Sequence, residues 1–304
     1  MKYVSAKTLE VRKDQCVLDG KAYMLQILER VSLPPQAPRL AIVAFQPNEK
    51  AKAVVKICIE AIRRFTPEPY ELWIIDNHSP REHAAWLLDL DDVNVIFNCS
   101  EPSPPRKLLW RKKPTSYGSY ANAVGLEIAV RHINPEVKYF MALHMDTMPC
   151  CSHWLSYLQS KIEGNIRAVG VRMDRTRTPE GVLHVVGCLI DFQLFQQLKL
   201  NFWPQLPSYD VGDHVTIRLR EAGYNVFACP NTLWKPELIK QIPACSPLRD
   251  FDVDRSFDAE GKVIFLHLGR GILKSTGKPR RGVTSEKWVQ FAKKCVLSRP
   301  SPAR

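Results

Sequence analysis

Arg39-Leu40-Ala41-Ile42-Val43-Ala44-Phe45 is a short apolar run, entered from the Pro-rich residues 33–38 and left through Pro47-Asn48. That pattern predicts a buried strand ending in a turn. Downstream, Val54, Ile57, Cys58, Ala61 and Ile62 recur at helical spacing, so residues 49–64 are expected to form a helix with one face on a core, ended at Thr66-Pro67. Glu71-Leu72-Trp73-Ile74-Ile75 reads as a second strand, which delivers Asp76-Asn77-His78-Ser79-Pro80 from its carboxyl end. A helical segment at about 82–90 leads to a third strand at 93–97. Strand, helix, strand, helix, strand at this spacing predicts right-handed crossovers, hence an α/β fold with a parallel sheet covered by helices on both faces. In such sheets ligands bind outside the carboxyl ends of the strands. Asp76 therefore falls at the ligand edge.

The pattern continues with a helix at 119–132 and a central strand at 137–143, apolar apart from Lys138, with Asp146 just past its end. A helix at about 153–162, capped by Ser152, and a strand at 167–173 follow, then a polar loop at 174–181. Residues 184–191 read as a strand, 192–198 as a short helix and 201–209 as an aromatic, Pro-rich loop. A helix at 213–222 ends at Gly223, and 225–229 is the strand after it. This gives an N-terminal extension at 1–38, a catalytic-type domain at 39–235 and a C-terminal extension at 236–304 with one final helix at 285–296.

At 304 residues, 45% hydrophobic and 24% charged, the composition is that of a globular protein able to bury a large core. No apolar run approaches the ~20 residues a bilayer span needs. The charged start after Met1 does not lead into a signal-peptide apolar segment, so a cytoplasmic protein is expected. Nine cysteines without paired CxxC spacing read as reduced thiols. The net charge of +12 suits polyanions: nucleic acid, acidic lipid head groups or sugar nucleotides. Its densest cluster, residues 106–113, reads as a basic loop or a solvated surface. No helix-turn-helix, zinc or RNA-binding signature accompanies the charge, and no nucleic-acid partner is expected.

A transferase acting on a nucleoside-diphosphate sugar must hold the nucleoside, neutralise the departing diphosphate and take a proton from the attacking hydroxyl. Carboxylates at strand ends suit the first task, a hard divalent cation the second, and an Asp, Glu or His within hydrogen-bond reach of the acceptor the third. Asp76 fits the nucleoside role, or it turns the chain through its own side chain. Asp146 fits the metal role, or a turn before Pro149; His144, two residues away on the same strand face, is a second ligand, a diphosphate contact or a packed histidine. Asp213 is the candidate base, though an Asp in a first helical turn is also favoured by the helix dipole. Asp210 competes with it. His267, after an apolar strand and before glycines, suits a metal or phosphate ligand, with Arg270 and Lys274 beside it for the diphosphate.

These residues resemble the family-2 glycosyltransferases of the GT-A fold, from about Leu40 to Pro230 and loosely to Gly271. Ala41-Ile42-Val43-Ala44-Phe45-Gln46-Pro47-Asn48 is similar to the family's first strand and following Asn, and Trp73-Ile74-Ile75-Asp76-Asn77-His78-Ser79 to its acidic nucleotide-binding strand end. The segment 116–125, with Asn122, is similar to the one that opens its donor-side helix. Leu143-His144-Met145-Asp146-Thr147 stands in the place of its Asp-x-Asp metal motif, Gly212-Asp213 in that of its Glu-Asp pair, and His267 where many members have a His before glycines. The resemblance implies a GT-A-type, Rossmann-like α/β fold with a mixed, mainly parallel sheet and helices on both faces, and an inverting, single-displacement hexosyl transfer in cell-surface glycan synthesis. In it Asp213 is the base, Asp146 and His267 hold Mn2+ or Mg2+, and Phe45, Asn48, Asp76, Asn77, Asn122, His144 and Arg270 contact the nucleotide sugar. The implied acceptor is a glycan or a lipid-linked sugar, reached by peripheral contact with an anionic inner membrane face.

Two departures stand out. His144 replaces the first Asp of the metal motif, which tilts preference toward manganese. Gly212 replaces the usual Glu. The competing readings are a degenerate binding protein of the same fold and a nucleotidyltransferase, the latter opposed by the lack of a Gly-rich, Lys-containing phosphate loop after Phe45.

Overall fold

The computed structural model describes residues 10–104, 116–172, 181–206, 208–276 and 282–298. The basic segment 106–113 and residues 174–180 of the polar loop lie outside them. The strands are β1 (Arg12–Leu18), β2 (Lys21–Leu28), β3 (Arg39–Ala44), β4 (Glu71–Asn77), β5 (Asn94–Asn98), β6 (Tyr139–His144), β7 (Thr147–Pro149), β8 (Ile166–Arg172), β9 (Leu183–Asp191), β10 (Asn225–Cys229), β11 (Asp254–Phe257) and β12 (Val263–His267). The helices are α1 (Glu49–Phe65), α2 (Arg81–Ala84), α3 (Ser116–His132), α4 (Trp154–Ser160), α5 (Phe192–Gln197), α6 (Asp213–Glu221), α7 (Pro247–Asp250), α8 (Gly271–Ser275) and α9 (Ser285–Phe291).

Among the described residues, nine strands form one sheet in the order β1-β2-β5-β4-β3-β6-β9-β8-β10. Its centre, β5-β4-β3-β6, is parallel throughout. Only β2 and β9 run against the rest, pairing antiparallel with both of their neighbours. The expected mixed, mainly parallel sheet covered on both faces is the fold observed. Along β3, Leu40, Ile42 and Ala44 pack with Val54, Val55, Cys58 and Ile62 of α1 on one face. Ala41, with Trp73 and Ile75 of β4, packs with Ala123, Val124 and Ile128 of α3 on the other. This is the alternation that a strand period of two imposes on a sheet buried on both sides.

The segment before Arg39, read from the sequence only as an N-terminal extension, supplies two strands to the sheet. β1 and β2 form a hairpin through Asp19 and Gly20, both at positive φ. β2 then adds antiparallel to β5, and Cys16, Leu18, Tyr23, Leu25 and Ile27 enter the core beside α3. The helix expected at 82–90 is a single α turn, α2, continued as a 3-10 turn over Ala85–Asp89. The last helix is α9 followed by a π turn at Ala292–Val296.

A second, three-stranded sheet in the order β11-β12-β7 is what brings the C-terminal part to the ligand edge. β7 leaves β6 through the turn Met145-Asp146, and β12 pairs with it antiparallel so that His267 lies opposite Thr147. β11 pairs with β12 and sets Asp254 opposite His267.

Candidate active site

Asp146 sits in the turn between β6 and β7 at the carboxyl edge of the central strands, and is 3% exposed. Its backbone carbonyl accepts Leu268 N–H at 3.0 Å, and its Oδ2 accepts Gly271 N–H at 2.9 Å, so the loop after β12 is tied to it twice. Around Oδ1 stand His267 Nε2 at 3.4 Å and His144 Nδ1 at 3.8 Å. One ligand-capable atom from each of these three side chains lies within 4.8 Å of the others. Asn122 Nδ2 lies 3.3 Å from His144 Nε2, and the ring of His184 on β9 packs edge-on against His144 with centroids 5.2 Å apart.

The three side chains are strongly coupled electrostatically. Burial opposes ionisation of Asp146, but His267, then His144 and the Gly271 N–H, hold its carboxyl well below the usual range. Burial also opposes the imidazolium of His267, which Asp146 and Asp254 nonetheless raise to about 9. His144, dominated by burial, falls to about 4 and is neutral at physiological pH. Neither ring nitrogen of His267 makes an in-line hydrogen bond, although each faces a carboxylate oxygen, Asp146 at 3.4 Å and Asp254 at 3.5 Å. The pairing is therefore an ion pair, and a cation binding at Nε2 and Oδ1 would have to displace the imidazolium proton. Two imidazoles and one carboxylate form a donor set that suits transition-metal ions better than Mg2+.

Other expected contacts have structural uses. Asn48 caps α1 by accepting Ala51 N–H at 3.0 Å, and its Nδ2 donates to Ser275 O at 3.1 Å, fastening α8. Asn77 donates to Ala121 O at 2.7 Å and accepts from Asn98 at 2.8 Å, joining β4, β5 and α3. Asp76 accepts Ser79 Oγ–H at 2.6 Å and Gln46 Nε2–H at 3.2 Å, and burial raises its pKa against these bonds. It still borders a cavity of about 300 Å³, with Gln26, His78, Arg81, Phe97 and Asn98. Phe45 is half-buried at the end of β3, and Arg270 is exposed, with φ +57°, at the start of α8. Arg270 and Lys274 line a second cleft of about 740 Å³ with Asp252 and Asp254, and Lys274 Nζ donates to Leu268 O at 2.8 Å.

Asp213, the first residue of α6, is fully buried. Its Oδ2 accepts Asp210 N–H at 2.6 Å, and its Oδ1 has no hydrogen-bond partner. Burial pushes its pKa up to about 7; the Asp210 N–H opposes that rise and the Asp210 charge adds to it. Asp210 is also close enough for its charge to favour protonation of His144. Gly212 before α6 has φ +81°, and a Cβ there would lie 2.5 Å from Val185 Cγ1. The position that holds a Glu in the resembling family is filled here by packing, so no acidic side chain fits.

Sequence reasoning did not single out Asp254, His184 or Gly271. His184 carried the same signal as His144, a histidine inside an apolar strand. Asp254 and Gly271 carried none, because only the β11-β12-β7 sheet brings them to Asp146.

No family model matches the chain, and no curated protein does. Several solved structures share its general chain path. The galactosyltransferase LgtC in complex with donor and acceptor sugar analogues aligns at TM-score 0.45 and 13% identity, over 86% of this chain and 97% of that one. The catalytic domain of Drosophila β1,4-galactosyltransferase 7 in complex with xylobiose aligns at TM-score 0.36 and 12% identity, over 63% of this chain and 64% of that one, just under two thirds of its length. The 4-diphosphocytidyl-2C-methyl-D-erythritol synthase from Anaerococcus prevotii aligns at TM-score 0.34 and 11% identity, over 54% of this chain and 75% of that one. These are likenesses of chain path and nothing more, and the link to the family-2 enzymes stays a resemblance of motifs.

Proposed function

We propose that the chain is a metal-dependent glycosyltransferase that moves a sugar from a nucleoside-diphosphate sugar to a hydroxyl acceptor. The observation that carries this reading is the gathering of His144, Asp146 and His267, from β6, the β6–β7 turn and β12, at the carboxyl edge of the sheet. That edge also holds the cavity bordered by Asp76, which has the size and polar rim for a nucleoside.

His144, Asp146 and His267 would hold a divalent cation, which would supply positive charge to the departing diphosphate. The chain's own part is to fix the three donors. Gly271 N–H and Leu268 N–H hold Asp146 in place, Asn122 and His184 confine the His144 ring, and β12 carries His267. Arg270 and Lys274, which line the cleft beside Asp254, would supply further positive charge to the departing diphosphate. In the inverting course we infer, Asp213 takes the acceptor proton: its pKa near 7 matches that task, and its Oδ1 is uncommitted. The acceptor we infer is a glycan or lipid-linked sugar. The net charge of +12 favours approach to an anionic membrane surface, and among the described residues no helix is long and apolar enough to cross one.

The test is thermal unfolding with UDP-, GDP-, dTDP- and CDP-sugars, each with and without Mn2+. A donor at 100 times its Kd adds about 2.7 kcal/mol, a shift of several degrees. If no sugar nucleotide raises the melting temperature in the presence of Mn2+, the reading fails.

A further inference from the structure

We propose that Asp254 is a positioning residue for the metal centre: it fixes the ring of His267 so that Nε2 points at Asp146 and the cation. The inference rests on the metal-dependent reading above and adds to it a residue that touches neither substrate nor ion.

Asp254 and His267 are directly opposed on β11 and β12, the spacing at which two side chains on one face meet. Asp254 Oδ2 stands 3.5 Å from His267 Nδ1, and no other acceptor engages that nitrogen among the described residues. A ligating histidine offers one nitrogen to the ion, and what its other nitrogen donates to sets both tautomer and ring angle. With Nδ1 facing Asp254, the ring turns Nε2 toward Asp146 Oδ1, 3.4 Å away, where an arriving cation would displace its proton.

Asp254 is itself held by an unusual arrangement one residue on. The buried guanidinium of Arg255 donates through Nε to Leu248 O at 2.7 Å and through Nη2 to Arg249 O at 3.0 Å, and also bonds the carbonyls of Phe251 and Val253. Arg255 N–H donates to Thr232 Oγ1 at 2.9 Å. One side chain thus gathers the irregular loop before β11 and fixes the point at which Asp254 starts the strand. Asp252 borders the same cleft but lies outside the pair, which makes it a control for the charge of the region.

The experiment measures Mn2+ binding to the full chain by the loss of the free-ion paramagnetic resonance signal, with unfolding followed by circular dichroism. Asp254→Ala and Asp254→Ser are expected to weaken Mn2+ binding by about 10–100-fold, the cost typical of losing such an outer partner. Asp254→Asn keeps an oxygen acceptor for Nδ1–H and should recover most of that loss, and Asp252→Ala should bind as the unaltered chain does. Unchanged affinity in folded Asp254→Ala and Asp254→Ser, or an equal loss in Asp252→Ala, overturns the positioning role while leaving the metal site standing. Absence of Mn2+ binding by the unaltered chain overturns both.

Discussion

Asp146 and Gly271, far apart in sequence, meet through a 2.9 Å hydrogen bond from the glycine N–H to Oδ2, with so little clearance that a Cβ on Gly271 would lie 2.8 Å from that oxygen. The contact closes the loop after His267 over the metal cluster and leaves Oδ1 facing the two histidines. Gly271→Ala is therefore expected to displace Asp146 and reduce Mn2+ affinity at least about tenfold, with a stability loss of about 1–3 kcal/mol from overpacking. Asp146→Asn should abolish Mn2+ binding outright. Calorimetric titration with Mn2+ checks both; an alanine at 271 that binds as well as glycine means the loop is not set by this contact.

Gly212 carries a prediction of the opposite kind, about a residue whose apparent loss of function is a matter of packing. Installing the glutamate of the resembling family, Gly212→Glu, forces a side chain into a φ of +81° and into Val185. The expected cost is at least about 2 kcal/mol in urea unfolding. Gly212→Glu combined with Val185→Ala should recover part of it. A Gly212→Glu chain as stable as the original would show that the helix entrance is more yielding than its geometry indicates.

What could be read in the sequence was whatever local periodicity dictates. β3, α1 and β4 are legible because a continuous apolar run and a 3.6-residue spacing each have one cheap structural solution. Asp146 was legible for the same reason, as a carboxylate just past a central strand. The β1–β2 hairpin was legible too and went unread: Asp19-Gly20 flanked by alternating Cys16, Leu18, Tyr23, Leu25 and Ile27 is a strong hairpin signal. The union of His267 with Asp146 was not derivable from spacing, because it depends on β7, a three-residue strand whose pairing is set by tertiary packing. Asn48 and Asn77 show the converse: their motif positions matched, yet their amides cap a helix and bridge strands.

The pH dependence of stability should single out Asp213. Burial raises its folded pKa to about 7, above the ~3.9 of an unfolded aspartate. Between those values the folded chain holds a proton that the unfolded chain has released. Its contribution to stability is thus fully present below about pH 4 and falls as pH rises through 7. Asp213→Asn, fixed in the neutral form, escapes that loss. The melting temperature of the variant relative to the unaltered chain should rise steadily from pH 4 to 8, and a flat difference would mean that the carboxylate is solvated in solution.

The same carboxylate decides the proton-transfer step, and Asp210 is its rival. Both are buried and differ in surroundings: Asp213 accepts the Asp210 N–H, whereas the charge of Asp210 reaches His144. If Asp213 is the base, Asp213→Asn keeps donor and Mn2+ binding and lowers the turnover number by about 10²–10⁴, the span attributed to general base catalysis. Asp210→Asn should then act mainly through weaker Mn2+ binding, with turnover largely restored at saturating metal. Measuring sugar transfer and Mn2+ affinity in both variants separates the roles. Should Asp213→Asn transfer normally while Asp210→Asn stays inactive at saturating Mn2+, the base is Asp210, the carboxylate whose charge reaches His144.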